Sequence, residues 1–505
     1  MTNGAKSLTK DFTHLTEMVF AKSPILKENF EKNGKKTLFE HAQSYRENKL
    51  SVLALARRPE LVSAVSARAT KIFGEEIARS IAKQLEKNFF VSTADHHGMI
   101  CHPFWLSANS IAAMQTPAPE NLLVFSCGNV SLNNSSFPKG LIFHSDSHDY
   151  RTIQQLSFFP ASENQRPVLG VQAYTIKDIA RVKRNLWSMV KSKTVRMEVA
   201  EKITETIDEV YAKPNILETE GFAKQASLTN MLLWQKFFST SQTTPRLIYI
   251  DQESIVTDLL LSHHLFKETM INRIIFDETV ASIFSKHFDG IRGGFSKKEK
   301  KGSYLFWGIP EGTKYRQQLW LEGCELVSAD GSCRIPLEAE AIAEKLESGE
   351  LVPSMLLTFL VLSFYYGLKC LGGFLQPSYL TAMKHAYSQT LRDMGAKEEV
   401  EVFANTDTKA MGGDLALAFL QDKNKQLHQA TGLDLILYGD TNTWSKLVDL
   451  SKHMTVEESV AVMMPLFYSV LYQGQESDKN LVNINAEDII KLIGLDKKIK
   501  PCVSM

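Results

Sequence analysis

Leu351 to Leu368 (LVPSMLLTFLVLSFYYGL) runs for 18 residues without a charged side chain. So apolar a stretch has two destinations, the hydrocarbon of a membrane or the interior of a large core. Eighteen residues is about the lower limit for a spanning helix. This run contains Pro353, Ser354, Thr358, Ser363 and the pair Tyr365-Tyr366. Glu347 and Glu350 precede it and only Lys369 follows directly, so neither flank carries the basic cluster that anchors a membrane segment. The reading is a buried central helix, which needs a substantial body of protein around it. At 505 residues the chain is long enough for two or three packed lobes.

The remaining composition fits that reading. Hydrophobic residues make up 44% and charged residues 23%, ordinary values for a globular protein. Lys+Arg and Asp+Glu are both 57, so there is no general attraction to nucleic acid or to an anionic membrane, and neither is expected as a partner. Six cysteines form no CxxC pair and no disulfide framework, which points to a reducing compartment. The polar start Met1-Thr-Asn-Gly-Ala-Lys-Ser7 is followed by no apolar core of a secretory signal, so the expected location is cytoplasmic.

Apolar spacing gives the coarse elements. Residues 1–90 read as helical, most clearly after Gly74, where Ile77, Ile81 and Leu85 form a four-residue stripe. Short strands are expected at Phe89–Thr93, Leu122–Ser126, Leu141–His144, Arg246–Ile250, Ser303–Gly308, Glu322–Leu326 and Leu433–Tyr438. A helix is expected after Pro103, and helices fill most of 174–240, 252–288, 336–395 and 441–473. Many helices around few, scattered strands give the fold class: helix-rich α/β, with a small mixed central sheet wrapped by helices and helical terminal lobes. The expected division is a helical lobe at 1–90, an α/β core at 91–330 and a mainly helical lobe at 331–505.

The chemistry concentrates in the core. Five of the 13 histidines fall between positions 96 and 148. The first group is Asp95-His96-His97-Gly98 with His102. The second is His144-Ser-Asp146-Ser-His148-Asp149. Along an extended segment, residues i, i+2 and i+4 share a face, so His144, Asp146 and His148 converge, as do Asp95 and His97. Imidazoles and carboxylates brought together suit a metal or an acid–base site. The first group follows a strand, where α/β sheets place ligands. The tripeptide DHH occurs in a phosphoesterase family, but the upstream aspartate motif of that family is missing. HxDxHD also differs from the HxHxDH of metallo-β-lactamases, and neither family is inferred.

Between the two groups lies Cys127 to Gly140, a loop of Asn, Ser and Gly. Asn129, Asn133, Asn134 and Lys139 are its candidates for binding a polar or anionic substrate. Cys127 is a candidate nucleophile if its pKa is lowered. Arg292, in a Gly- and Lys-rich loop from Asp289 to Gly302, is a further substrate candidate, and that loop suits a lid.

Three functions remain open. The first is metal-assisted hydrolysis of a polar small molecule. Asp95, His97, His144, Asp146 and His148 would hold zinc or iron, with His96 or Asp149 as general base. The second is a group transfer or ligation by histidine acid–base chemistry without a metal. The third is a non-catalytic binding or scaffold protein.

Overall fold

A computed structural model describes residues 3–47, 49–145, 153–239, 243–310, 312–313, 315–475 and 478–505. Helices dominate, with mixed sheets among them, and the fold class is helix-rich α/β. Four parallel strands make the central sheet: β1 (Phe90–Ser92), β2 (Asn121–Ser126), β3 (Arg246–Asp251) and β4 (Lys369–Leu371). Their order in space is β4-β1-β2-β3.

Alternating side chains of these strands belong to two different cores. Leu122, Val124, Leu247 and Tyr249 join one apolar cluster, while Leu123, Phe125, Ile248 and Ile250 join the other. The sheet is therefore buried on both faces, as parallel sheets are, and its strands read as continuous apolar runs. Helices Pro103–Ala113 and Phe222–Phe237 pack into the first cluster, and Val52–Phe73 and Gln252–Leu259 into the second.

The uncharged run is buried along its length. Leu351–Pro353 pairs with Phe306–Gly308 in a five-stranded antiparallel sheet, and the helix begins only at Met355. The Ser354 hydroxyl caps that helix by accepting from the Leu357 N–H. A wider helical turn, Leu360–Tyr365, continues it, and Gly367 ends the segment at φ +70°. Each fully buried Leu or Phe here is worth roughly 1.5–3 kcal/mol over exposure, so burial decides where the run goes. Among the described residues, no helix is long and apolar enough to cross a membrane.

Three expectations are corrected. Lys369–Leu371, read inside a helical region, is a buried edge strand of the central sheet, so that sheet draws on residues on both sides of position 330. The expected strand Leu433–Tyr438 is the helix Gly432–Tyr438, because Thr431 and Asp434 form a reciprocal capping box that starts it. The expected single strand Glu322–Leu326 is a tight hairpin, Gln317–Glu322 with Glu325–Ser328, turned by Gly323 at φ +60°.

Candidate active site

The four strands of the sheet point their carboxyl ends at one edge. From β1 the chain steps to β2 and β3 on one side, and β4 lies on the other. Such a reversal of direction opens a crevice at the carboxyl edge. Here it holds a cavity of about 330 Å³ lined by residues following all four strands: Thr93–His96, Cys127, Gln252 and Gly373–Gln376. Met355, Phe359 and Leu466 add an apolar wall, and Trp105 and Tyr379 add aromatic surface.

Two carboxyl groups line the cavity, Asp95 and Asp414. Asp95 is fully buried; Asn109 Nδ2 donates to its Oδ2 at 2.8 Å and Tyr249 OH at 3.0 Å. Among the described residues, its Oδ1 is buried with no partner. Asp414 belongs to a loop that reaches the cavity from far along the sequence. It sits at φ +55°, a strained conformation for a non-glycine residue, and the Phe374 N–H donates to its Oδ2 at 2.9 Å. A Cβ on Gly373 would lie 2.2 Å from that same oxygen, so only glycine admits the carboxylate here. Burial pushes Asp95 up to about 7, and the charge of Asp414 adds to the effect against the two hydrogen bonds. Burial pushes Asp414 up to about 6, against the Phe374 hydrogen bond. Both groups therefore titrate closer to neutrality than ordinary carboxyls do.

Two imidazoles flank the pair, both against Trp105. His96 Nδ1 is 3.2 Å from Asn134 Oδ1. The Asn134 amide donates to Ser131 O at 2.7 Å, which turns its oxygen toward the ring. His96 therefore carries its proton on Nδ1 and keeps Nε2 as a basic nitrogen. His102 is the reverse: its Nδ1 caps the helix Pro103–Ala113 by accepting from Phe104 N–H, so the proton is on Nε2. Burial lowers both pKa values, His102 to about 3 with help from His96, and both rings are neutral.

The structure sorts the sequence candidates. Asp95 and His96 line the cavity. His97 lies outside the cavity lining, with its ring 5.4 Å from that of Tyr249. Its nitrogens are occupied within the fold, at Ser126 Oγ (2.7 Å) and Ala223 O (2.8 Å). His144 is elsewhere, buried with Nδ1 at 2.7 Å from Asp434 Oδ2 and its ring beside His428. Among the described residues, His97 and His144 share no hydrogen-bond partner. Asp146, His148 and Asp149 lie outside the described residues. Among the described residues, no group of three or more His, Cys, Asp or Glu is arranged to hold a metal.

The loop candidates mostly hold the loop together. Lys139 Nζ donates to Asn133 Oδ1 (2.7 Å) and to Asn164 Oδ1 (2.8 Å), and Asn134 orients His96. The Asn129 N–H donates to Glu253, and Arg316 donates to the Asn129 carbonyl. Arg292 is exposed, outside the cavity lining. Its loop touches the wall at Gly293, where an added Cβ would lie 3.0 Å from Met355 and 3.2 Å from Tyr379. The Cys127 condition is not met: burial and Glu253 raise the thiol well above its usual value, and Sγ donates to Glu253 Oε1 at 3.2 Å.

Asp414, Tyr379, Asn109 and Tyr249 were not foreseen. One signal for Asp414 existed. Gly372-Gly373 and Gly412-Gly413 are two glycine pairs whose backbones touch, with Gly412 and Gly413 N–H both donating to Gly372 O at 3.0 Å. No protein-family model and no curated protein matches the chain, so the arrangement at this carboxyl edge is what speaks for its chemistry.

Proposed function

We propose that this chain is an enzyme using general acid–base chemistry, most concretely hydrolysis, on a polar small molecule. The observation that carries the reading is the carboxyl pair Asp95–Asp414, shifted toward neutrality at the switch point of a parallel sheet. Near pH 7 Asp414 is mostly ionised and serves as the base that takes a proton from water. Asp95 keeps a proton to give to the leaving group. His96 Nε2 accepts from the substrate and His102 Nε2–H donates to it. A cavity of about 330 Å³ is at the small end of ligand sites, which favours a small substrate over a polymer or nucleic acid. Six free cysteines favour a reducing, cytoplasmic setting.

Thermal-shift screening of polar metabolites, followed by turnover assays on each hit, tests this reading. Wild type should turn over a hit that Asp95→Asn and Asp414→Asn bind but process roughly 10²–10⁴-fold more slowly, the usual worth of a positioned acid or base. The rate should be bell-shaped in pH. It falls below about 6 as Asp414 takes a proton and above about 7 as Asp95 loses one. Turnover that survives in both variants, or an absence of any processed hit, counts against the reading.

Metal-assisted hydrolysis is the second reading. Asp95 Oδ1 and Asn109 Oδ1 are both buried without a partner, and a zinc or iron ion beside them would satisfy both and keep Asp95 ionised. Elemental analysis of protein purified without chelator decides this: a stoichiometric metal lost in Asp95→Asn supports it, and substoichiometric metal that reconstitution does not raise sinks it.

A further inference from the structure

A second cavity, of about 520 Å³, lies where β4 begins, at the amino edge of the sheet. Five lysines line it (Lys32, Lys36, Lys49, Lys369 and Lys409), against Glu28, Glu47 and Asp407. Lys409 is held by both oxygens of Glu28, at 2.8 and 2.7 Å, so four lysines face two carboxylates. Among the described residues, no ion pair or hydrogen bond engages the ammonium groups of Lys32, Lys36 and Lys49. Lys369 is 3% exposed, and its Nζ donates to Ser44 O and Glu47 O at 3.2 and 3.0 Å, leaving a third N–H.

His41 gives the cavity its specific feature. The ring is 5% exposed, and Nε2 donates to Met411 O at 3.0 Å, which leaves Nδ1 as a lone pair. Among the described residues, that nitrogen is buried without a partner. Four lysines offer charge, and one buried acceptor waits for a donor.

We infer that this cavity binds a phosphate group, as inorganic phosphate or as a small phosphomonoester. Lysine ammonium groups bind phosphate as point charges. Hydrogen phosphate also brings one acidic O–H, the donor that His41 Nδ1 lacks. When the bound group has no proton left to give, His41 takes one up and donates it to a phosphate oxygen. The cavity shares the loop 405–414 with the carboxyl pair: Asn405, Asp407, Lys409 and Ala410 line it, Met411 O holds His41, and Asp414 lies three residues further. The binding site stands whether or not the acid–base reading does.

Histidine-labelled NMR of the full chain reads it directly. Burial, then the charges of Lys36 and Lys369, hold His41 down at about 4. An anion that neutralises those lysines raises it. At fixed ionic strength, inorganic phosphate should give saturable shifts of the His41 ring nitrogens and lift its pKa by about one unit or more. Lys36→Ala/Lys49→Ala changes two exposed or half-buried side chains and should weaken binding by roughly tenfold or more, the loss of two charge-assisted contacts. A parallel titration with glycerol 1-phosphate identifies the source: tighter binding points to a phosphorylated metabolite, and looser binding to free phosphate. Non-saturable shifts, equal shifts from sulfate, or undiminished binding in the double variant would overturn the site.

Discussion

Two histidine-bearing segments look alike in the sequence and differ in the fold. In Asp95–His102, two of three imidazoles line a cavity and one keeps a free basic nitrogen. In the described part of His144–Asp149, the single imidazole is buried against a carboxylate that also holds its own backbone N–H at 2.8 Å. The density of histidines is the same signal in both. What separates them is whether secondary structure has already consumed the ring nitrogens. The first segment follows β1 into a crevice. The strand Gly140–His144 instead runs onto the amino end of the helix Gly432–Tyr438, where Asp434 takes the ring as part of a cap.

Substitution should expose that difference. The largest effect is on turnover: Asp95→Asn or Asp414→Asn costs roughly 10²–10⁴-fold. Next is stability at the other segment. His144→Ala leaves the Asp434 carboxylate buried without its imidazole, and removing one partner of a buried pair costs about 3–5 kcal/mol. Asp434 also accepts from the backbone of His144 and Thr431, so the lower end is expected. Chemical denaturation measures the loss. Turnover per folded molecule should stay unchanged; a fall there would bring His144, and with it Asp146 and His148, into the site.

Asp95 also leaves a pH signature on stability. Asp95 has a folded pKa raised to about 7 from 3.8, so its protonated form is the favoured one in the fold. Its contribution is intact below about pH 4 and is lost as pH rises toward 7, where a desolvated charge forms. Asp95→Asn removes that charge. At pH 8 it should raise stability by a few kcal/mol, with the gain shrinking to nothing near pH 4. A site residue thus costs the fold stability, whereas His144 contributes it. Equal melting temperatures for wild type and Asp95→Asn at pH 8 would refute the assignment of Asp95 as a buried carboxyl that costs the fold stability.

Much of this was legible in the sequence and part was not, for identifiable reasons. β1, β2 and β3 are apolar runs bounded by polar residues, and the position of Asp95-His96 after the first of them located the cavity. β4 has three residues, Lys369-Cys370-Leu371, beneath any periodicity, and it lies between two helices. Missing it also hid Asp414, which reaches the crevice only through the loop that touches Gly372, next to β4. Leu433–Tyr438 misled by composition, since LDLILY suits a strand, while Thr431-x-x-Asp434 was the local sign of a helix start. Cys127 misled by position. It stands at a strand end, but the charge beside it is Glu253, which raises a thiol's pKa.

The smallest expected effect lies beside the second segment. His428, next to His144, stands between Asp422 (3.1 Å) and Glu487 (3.0 Å). Burial pulls its pKa down, but the hydrogen bonds to Glu487 and Asp422 overcome that and raise it above 6.5. The imidazolium therefore ties the helix Ala486–Leu492 to the strand Leu427–Gln429. A raised histidine contributes stability fully below its unfolded pKa and loses it as pH climbs through the folded value. Glu487→Gln removes one anionic partner and should cost about 1 kcal/mol at pH 6, closing toward zero by pH 9. Urea melts at the two pH values measure it. Because this network is held within the fold and not at the cavity, turnover at pH 6 should not change, and a pH-dependent loss of turnover in Glu487→Gln would mean that the two histidine regions are coupled.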